Sequence, residues 1–272
     1  MFLLKGQVFY LTFYSFLEKV SPQCYYKHKG DDNMEILIVR HCEPDYEKDS
    51  LTQKGVKEAK LLAERLAQTK MDHIYASPLG RAQKTASYTL KKTGQIAETL
   101  QWLREFEGSV KTGLFKKDCC WDRLASYWTR IPDYYSYEKW HRVPLMKKNK
   151  VWNKYKEVCD GLDELLLRHG YRHDGKIFRV EKENHDVIVL FCHFGVESVI
   201  LSHLFGTSPM PLWHNFRALP SSVTRVVTEE REKGIATFAC LQYGDLGHLY
   251  KGNEEPSFIA RFCECYSDET RH

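Results

Sequence analysis

Apolar residues along this chain alternate between short unbroken runs and a helical spacing. The runs Ile36-Leu37-Ile38-Val39 and Val187-Ile188-Val189-Leu190 have no polar face, which is typical of strands buried on both sides. After the first run, the apolar positions of residues 56–66 recur every three or four residues and predict an amphipathic helix. Thr52 is its predicted N-cap, although Gly55 supplies no acidic partner for a capping box.

The same alternation continues through the rest of the chain. Residues 73–76 predict a short strand, and Ser77-Pro78 predicts the N-cap and the first residue of a second helix. Further predicted elements are a long helix over 152–166, a helix beginning near Gly195, and strands over 223–228 and 235–243 joined by a charged turn. Strands and helices in alternation predict a three-layer α/β/α fold with a mostly parallel central sheet, in which one hairpin strand is antiparallel.

The two ends of the chain differ from its central part. Residues 8–17 (VFYLTFYSFL) are apolar but too few to span a membrane as a helix, and no small-x-small cleavage site follows them. We therefore interpret residues 1–33 as an N-terminal extension, with a weak secretory signal as the alternative. The predicted domain covers residues 34–250, and residues 251–272 form a C-terminal tail.

Composition narrows the class of protein only slightly. The chain has 272 residues and a mass of 32.0 kDa, which allows a full core. Its net charge of +4 and pI near 8.4 suit an anionic small substrate as readily as weak contact with nucleic acid. Its nine cysteines are odd in number and form no paired framework, so a reducing cytoplasm is the expected compartment. We expect neither nucleic acid nor a membrane as a partner, and leave a homodimer open.

Two histidines directly follow the two apolar runs. His41 comes after Arg40 and His193 after Cys192, so each stands where a buried strand ends. Ligands of open α/β sheets bind at the carboxyl ends of the strands. Arg81 adds a guanidinium group in the first turn of the second helix, and such groups bind phosphate oxygens bidentately. The pattern predicts chemistry on a phosphoryl group; the alternatives are turn-capping histidines and arginines paired with nearby acids.

Six segments around these residues occur in a characteristic order. They are Ile38-Val39-Arg40-His41, Leu51-Thr52-Gln53-Lys54-Gly55, residues 75–86 (YASPLGRAQKTA), Leu103-Arg104-Glu105, Cys192-His193-Phe194-Gly195 and Pro220-Ser221-Ser222-Val223-Thr224. In this order and spacing, the chain resembles the histidine phosphatases, the superfamily that includes the cofactor-dependent phosphoglycerate mutases. The resemblance extends through most of residues 34–245 and leaves out residues 1–33 and roughly 109–150.

The resemblance implies an enzyme with a phosphohistidine intermediate. His41 would be the nucleophile, and Glu105 would donate a proton to the leaving group. The phosphate pocket would consist of Arg40, Arg81 and His193. A neutral imidazole is a usable nucleophile near pH 7, and positive charge stabilises the oxygens of the transferring phosphoryl group. We expect no metal and no cofactor, because the arginines supply this stabilisation.

Three departures from the family pattern affect this interpretation. Cys42 follows the nucleophile in place of the usual glycine or other small residue, which would make the site oxidisable. The segment Glu43-Pro44-Asp45-Tyr46-Glu47 places carboxylates where the mutases have serine and asparagine, which favours hydrolysis over the mutase reaction. Phe194 follows the second histidine, so only its backbone N–H is available to the phosphate.

Several hypotheses therefore remain. The leading one is a metal-independent phosphatase that hydrolyses small phosphomonoesters; the others are a phosphoglycerate mutase-like isomerase and a non-catalytic phosphate-binding module. The acid also has an alternative, since Glu107 lies two residues beyond Glu105 and both could be solvated surface charges.

Residues 109–150 are rich in interleaved aromatic and basic side chains. We predict that this segment forms a helical and aromatic lid that selects the substrate. The alternatives are a small helical subdomain that uses the aromatics as its own core, and a surface for single-stranded nucleic acid. Cys119-Cys120 and Cys263-x-Cys265 lack the spacing of zinc ligands, so we predict no metal site there.

Overall fold

The protein is described by a computed structural model, which covers residues 33–111 and 117–260. The predicted extension before residue 33 and residues 261–272 of the predicted tail lie outside the described residues. The strands are β1 (Glu35–Arg40), β2 (Pro44–Asp45), β3 (Ser50–Leu51), β4 (His73–Ala76), β5 (Glu98–Thr99), β6 (Ser109–Lys111), β7 (Lys117–Cys119), β8 (Tyr171–Asp174), β9 (Ile177–Val180), β10 (Val187–Cys192), β11 (Val223–Glu232) and β12 (Ile235–Asp245).

Helices alternate with these strands. The α-helices are α1 (Gln53–Leu66), α2 (Gly80–Thr93), α3 (Ala125–Trp128), α4 (Pro144–Lys148), α5 (Val151–Arg168), α6 (Phe194–Leu204), α7 (Pro209–Asn215) and α8 (Gly247–Lys251). Short 3-10 helices cover Gln101–Leu103, Pro132–Tyr135 and Trp140–Arg142. No helix of the described part of the chain is long and apolar enough to cross a membrane.

A mixed eight-stranded sheet forms the centre of the fold. Its strand order is β5-β4-β10-β1-β11-β12-β9-β8, parallel from β5 to β1 and antiparallel from β1 to β8. The predicted three-layer α/β/α class with a parallel core is confirmed. The antiparallel half is larger than the single hairpin strand that we predicted, because β8 and β9 also join the sheet. Their short sequences, YRHD and IFRV, carry charged residues at the sheet edge and do not stand out as apolar runs.

The two faces of β1 and β10 explain why their sequences have no polar positions. Leu37 and Val189 pack on one face with Leu62 of α1 and Ala86 of α2. The other face packs against α5 and α6 through residues 36, 38, 188 and 190. Each strand is therefore covered by helices on both sides, as a parallel core requires.

The starts of the first two helices differ in how well they were predicted. Thr52 caps α1 as predicted, because its side chain accepts a hydrogen bond from the Gly55 amide at 3.0 Å. The prediction of Ser77 as the N-cap of α2 is wrong, since that helix begins at Gly80. The Asp49 carboxylate from another loop accepts the Gly80 N–H at 2.6 Å, and so supplies the cap from a distance in sequence.

Candidate active site

The ends of β1 and β10 bring the two predicted histidines together. Arg40 pairs with Cys192 in the parallel register, so the next residue of each strand, His41 and His193, emerges at the same edge. The His41 N–H donates to the Cys192 carbonyl at 3.0 Å, and the two imidazole centroids are 5.1 Å apart. Both side chains are buried, at 1% and 0% exposure.

A backbone hydrogen bond assigns the tautomer of His41. Its Nδ1 lies 2.8 Å from the Cys42 carbonyl, which can only accept, so Nδ1 carries the proton and Nε2 keeps its lone pair. Burial, and secondarily the charge of Arg40, lowers the pKa of His41 well below its ordinary value. The imidazole is therefore neutral near pH 7, with Nε2 able to act as a nucleophile.

His193 is oriented by a hydroxyl group from the end of β4. Ser77 Oγ lies 2.7 Å from His193 Nε2 and also accepts the Leu79 N–H at 3.2 Å. Burial and the nearby His41 lower the pKa of His193 well below its ordinary value. Within residues 33–111 and 117–260, no group hydrogen-bonds to its buried Nδ1. In the tautomer in which Ser77 Oγ donates to Nε2, His193 Nδ1–H can donate a hydrogen bond to a phosphoryl oxygen.

Arg40 is the more deeply buried of the two predicted arginines. Its guanidinium group donates to the Ala218 carbonyl at 2.5 Å and to the Ala260 carbonyl at 2.9 Å. The group also lies 5.6 Å from the ring centroid of Phe194, a cation–π distance. Arg40 is thus held between the loop before β11 and the last described residues, beside the two histidines.

Arg81 is positioned by Asp49, a residue that the sequence did not indicate. Asp49 Oδ1 accepts a hydrogen bond from an Arg81 guanidinium nitrogen at 2.7 Å, while Oδ2 caps the helix at Gly80. The backbone of Asp49 has a positive φ of 45°, a region in which Asp is one of the better tolerated residues. Tyr46 places its ring 5.5 Å from the same guanidinium group. Arg81 Nε–H is buried and donates to no group within the described residues, so it is available to an anion.

Glu105, rather than Glu107, lies at the start of α6, next to the strand end that carries His193. Glu105 Oε1 accepts hydrogen bonds from the amides of Gly195 at 2.9 Å and Phe106 at 2.8 Å, so Oε2 is the oxygen left to carry a proton. Burial raises the pKa of Glu105, although Arg40 and Arg81 oppose the shift. Glu107 is exposed and lies 3.7 Å from Arg104 at the surface. The geometry thus favours Glu105 as the acid.

The buried carboxyl group of Glu197 was also missed from the sequence. It lies in the first turn of α6, 1% exposed, and accepts a hydrogen bond from Thr224 Oγ1 at 2.5 Å. Burial raises the pKa of Glu197 to about 7, against the opposing charge of Arg40. Glu197 lies four residues after His193, a regular helical spacing, but no sequence signal separates it from an ordinary first-turn glutamate.

Cys42 and the acidic segment after it, which depart from the family pattern, do not act in the structure as the sequence led us to expect. Cys42 is fully buried and burial strongly raises the pKa of its thiol, so it is a packed thiol rather than an oxidisable one. Glu43 is also buried and accepts a hydrogen bond from Thr52 Oγ1 at 2.7 Å, so its carboxylate belongs to the start of α1. Asp45 forms an ion pair with Lys48 at 3.0 Å. Tyr46 of that segment lies beside the guanidinium group of Arg81.

The aromatic residues of segment 109–150 are largely used as core. Trp128, Tyr134 and Trp140 are buried and belong to the same core cluster as α5 and α6. Trp121 lies nearer the site: its ring packs edge-on against Phe194 at 6.1 Å, and its indole N–H donates to the Phe106 carbonyl at 3.2 Å. These aromatics thus pack into the main core of the domain rather than forming a separate core of their own, and the role of the segment as a lid stays a prediction.

Comparison with known proteins identifies the family. The profile of the histidine phosphatase superfamily (branch 1) matches residues 36–240, which is most of the chain. The chain therefore belongs to the histidine phosphatase superfamily, and the resemblance predicted from its motifs is confirmed. A search among curated protein sequences finds no significant match.

Solved structures with the same fold include several phosphatases. A mutant phosphoserine phosphatase from Entamoeba histolytica, in complex with phosphoserine, superposes with a TM-score of 0.53 at 16% identity, over 79% of this chain and 99% of its own. The phosphoserine phosphatase of that organism bound to 3-phosphoglyceric acid gives 0.52 at 17% identity, over 79% and 99%. A mycobacterial glucosyl-3-phosphoglycerate phosphatase with VO3 gives 0.50 at 17% identity, over 78% and 99%. At these identities the similarity establishes the fold.

Proposed function

We propose that this protein is a metal-independent phosphatase that hydrolyses small phosphomonoesters through a phosphohistidine at His41. The observation that carries the proposal is the neutral His41, whose Nδ1–H is fixed by the Cys42 carbonyl beside His193 and two arginines. A nucleophilic nitrogen surrounded by cationic and N–H donors suits attack on a dianionic phosphate ester.

In the first step, His41 Nε2 attacks phosphorus and the bond from phosphorus to the ester oxygen breaks. Arg40, Arg81 and His193 Nδ1–H stabilise the negative charge of the phosphoryl oxygens, with the Phe194 N–H as a further predicted donor. A phosphoryl oxygen bound to Arg40 would replace the Ala260 carbonyl as acceptor. Glu105 Oε2 transfers its proton to the leaving oxygen, so an alcohol departs and Glu105 becomes a carboxylate.

In the second step, water attacks phosphorus and the N–P bond breaks. The Glu105 carboxylate accepts a proton from this water, inorganic phosphate forms, and His41 returns to its neutral state. The raised pKa of Glu105 suits both steps, because the group must give and take a proton within one cycle.

A phosphoglycerate mutase-like isomerase is the second candidate. The mutase reaction needs room for a second phosphate near this segment, and Asp45 and the Tyr46 ring beside Arg81 disfavour one. Glu43 gives no argument against the mutase, because its carboxylate is hydrogen-bonded to Thr52. The structural neighbours named above, a phosphoserine phosphatase and a glucosyl-3-phosphoglycerate phosphatase, support hydrolysis of a small phosphorylated metabolite. The reducing cytoplasm remains the compartment we propose, supported by six unpaired cysteines among the described residues.

The test measures phosphate release from an aryl phosphate, phosphoserine and 3-phosphoglycerate, with EDTA present, by wild type and His41→Ala. We expect turnover that survives the chelator and is abolished in the variant. The same assay tests the acid with Glu105→Gln, which should lose activity. Glu107→Gln is its matched control and should retain full activity. Transfer of phosphate between hydroxyl groups with little net release would support the mutase, and binding of inorganic phosphate without turnover would support the non-catalytic module. Activity in His41→Ala would overturn the proposed nucleophile.

A further inference from the structure

A second group of chemistry-bearing side chains lies at the edge of the sheet opposite the active site. His73 is the first residue of β4, Asp186 directly precedes β10, and His169 directly follows α5. Because β4 and β10 are parallel neighbours, their amino ends meet at one edge while His41 and His193 emerge at the other. This group is therefore separate from the proposed catalytic machinery.

The two histidines converge on one oxygen of the Asp186 carboxylate. His73 Nε2 lies 3.4 Å from Asp186 Oδ2, and His169 Nδ1 lies 3.7 Å from the same oxygen. The two imidazole centroids are 4.7 Å apart, and the three candidate ligand atoms all lie within 4.8 Å of one another. A hydrogen bond between such atoms is normally about 2.7–3.2 Å long, so neither contact is a well-formed one.

The two histidine–carboxylate separations fit a shared ion. Zinc binds histidine nitrogen and carboxylate oxygen at about 2.0–2.1 Å with tetrahedral geometry, which places neighbouring ligand atoms roughly 3.3 Å apart. Two histidines and one carboxylate supply three such ligands. The side chains of His73 and Asp186 are 47% and 34% exposed, so a fourth position for water faces solvent.

Further contacts orient these ligands as outer-shell groups do in metal sites. The Tyr75 hydroxyl lies 3.0 Å from Nε2 of the buried His169, which leaves Nδ1 facing Asp186. The Asn184 side-chain amide donates to Asp186 Oδ2 at 3.1 Å and to the His169 carbonyl at 3.0 Å, joining the two segments. Hydrogen bonds of this kind fix the tautomer and ring orientation of metal-binding histidines.

We propose that His73, His169 and Asp186 bind Zn²⁺, or a similar borderline divalent cation, with water at the fourth position. The ion links the amino ends of β4 and β10 to the end of α5 and stabilises the folded chain by binding to it preferentially. It takes no part in phosphoryl transfer, which uses the opposite edge of the sheet.

A second cluster serves as an internal control. Asp163 lies 2.7 Å from His203 Nε2 and 3.2 Å from His173 Nδ1, using a different oxygen for each contact. These are ordinary hydrogen-bonded distances, so this cluster is satisfied without an ion. Substitution of His173 should therefore leave zinc binding unchanged.

The experiment titrates the metal-stripped full chain with Zn²⁺ against a chromophoric chelator. We expect wild type to bind one equivalent of Zn²⁺ more than His73→Ala or Asp186→Asn. Two controls should bind as much Zn²⁺ as wild type: His173→Ala, and His185→Ala at an exposed neighbouring position. Tyr75→Phe should bind about 10–100-fold more weakly, the usual cost of losing an outer-shell partner. His73 is half-exposed, so its substitution should leave the metal-free melting temperature unchanged and remove only the rise caused by zinc.

Co²⁺ in place of Zn²⁺ checks the ligand type. Tetrahedral cobalt spectra without thiolate charge-transfer bands would support the proposal, whereas such bands would move the ion to cysteines and overturn it. Equal zinc binding by wild type, His73→Ala and Asp186→Asn would also overturn it, as would loss of binding in His173→Ala. Retained turnover of His73→Ala keeps this result distinct from any failure of the proposed phosphatase activity.

Discussion

Replacement of Glu197 by glutamine tests the electrostatics of the buried site through stability. Glu197 is 1% exposed, and burial raises its pKa from 4.5 to about 7. The folded state therefore binds this proton more tightly than the unfolded chain does. The stability it contributes is fully present below the unfolded pKa and is lost as pH rises through the folded pKa.

The two pKa values give the size of the effect. For a shift from 4.5 to about 7, the wild-type free energy of unfolding falls by about 2.5 kcal/mol between about pH 5 and pH 8 from this group alone. Glutamine cannot ionise, and its carbonyl oxygen can still accept the hydrogen bond from Thr224 Oγ1. Glu197→Gln should therefore become more stable relative to wild type as pH rises.

The assay is urea denaturation of both proteins at several pH values, with the difference in unfolding free energy plotted against pH. Groups that titrate in both proteins cancel in that difference. We expect it to change by about 2.5 kcal/mol in favour of the variant across this pH range. Glu229→Gln, at an exposed position of β11, is the matched control for removing one carboxylate. A flat difference for Glu197→Gln, or a change of opposite sign, would refute the reasoning.

Three further predictions concern the proposed acid and the arginine. Glu105→Gln should lower kcat about 10²–10⁴-fold on alkyl phosphates and much less on aryl phosphates with good leaving groups. The activity of wild type should fall as pH rises through the raised pKa of Glu105, and the variant should lose this fall. An unchanged pH–rate profile would contradict the assignment of Glu105 as the acid. In Gly195→Ala, the added Cβ would lie 2.7 Å from Glu105 Oε1, so kcat should fall in wild type but little further in the Glu105→Gln background; additive losses would contradict a shared cause. Asp49→Ala should raise KM more than it lowers kcat, because Arg81 loses its anchor, and should cost about 1 kcal/mol of stability from the lost cap. Asp49→Asn, which tolerates the positive φ and keeps an acceptor for the Gly80 N–H, should regain that stability; equal KM values in wild type and Asp49→Ala would contradict the positioning role.

Sequence reasoning succeeded where a side chain's place follows from local pattern. His41 and His193 each end an apolar run, and parallel neighbours end at the same edge, so their meeting was predictable. Thr52 was predictable for the same reason, since its partner is three residues away. The resemblance to histidine phosphatases then added roles that no spacing could supply.

Sequence reasoning failed where the role of a side chain depends on a contact with a residue far away in the sequence. Ser77 looked like a helix cap, but its hydroxyl faces His193, and Asp49 from another loop caps the helix instead. Glu197 reads as an ordinary first-turn glutamate, and only the packing around α6 makes it a buried carboxyl of raised pKa. His73 and His169 are nearly a hundred positions apart in a chain whose sheet topology brings them together.

The most direct test of the central claim is to trap the covalent intermediate. Wild type would be mixed with a phosphomonoester, quenched in alkali within one turnover, digested and analysed by mass spectrometry, with His41→Ala treated in parallel. The account predicts one phosphoryl group on the peptide that contains His41, stable in alkali and lost in acid, and none in the variant. Phosphate release by wild type with no phosphorylated His41 peptide, or with the phosphoryl group on another residue, would contradict it.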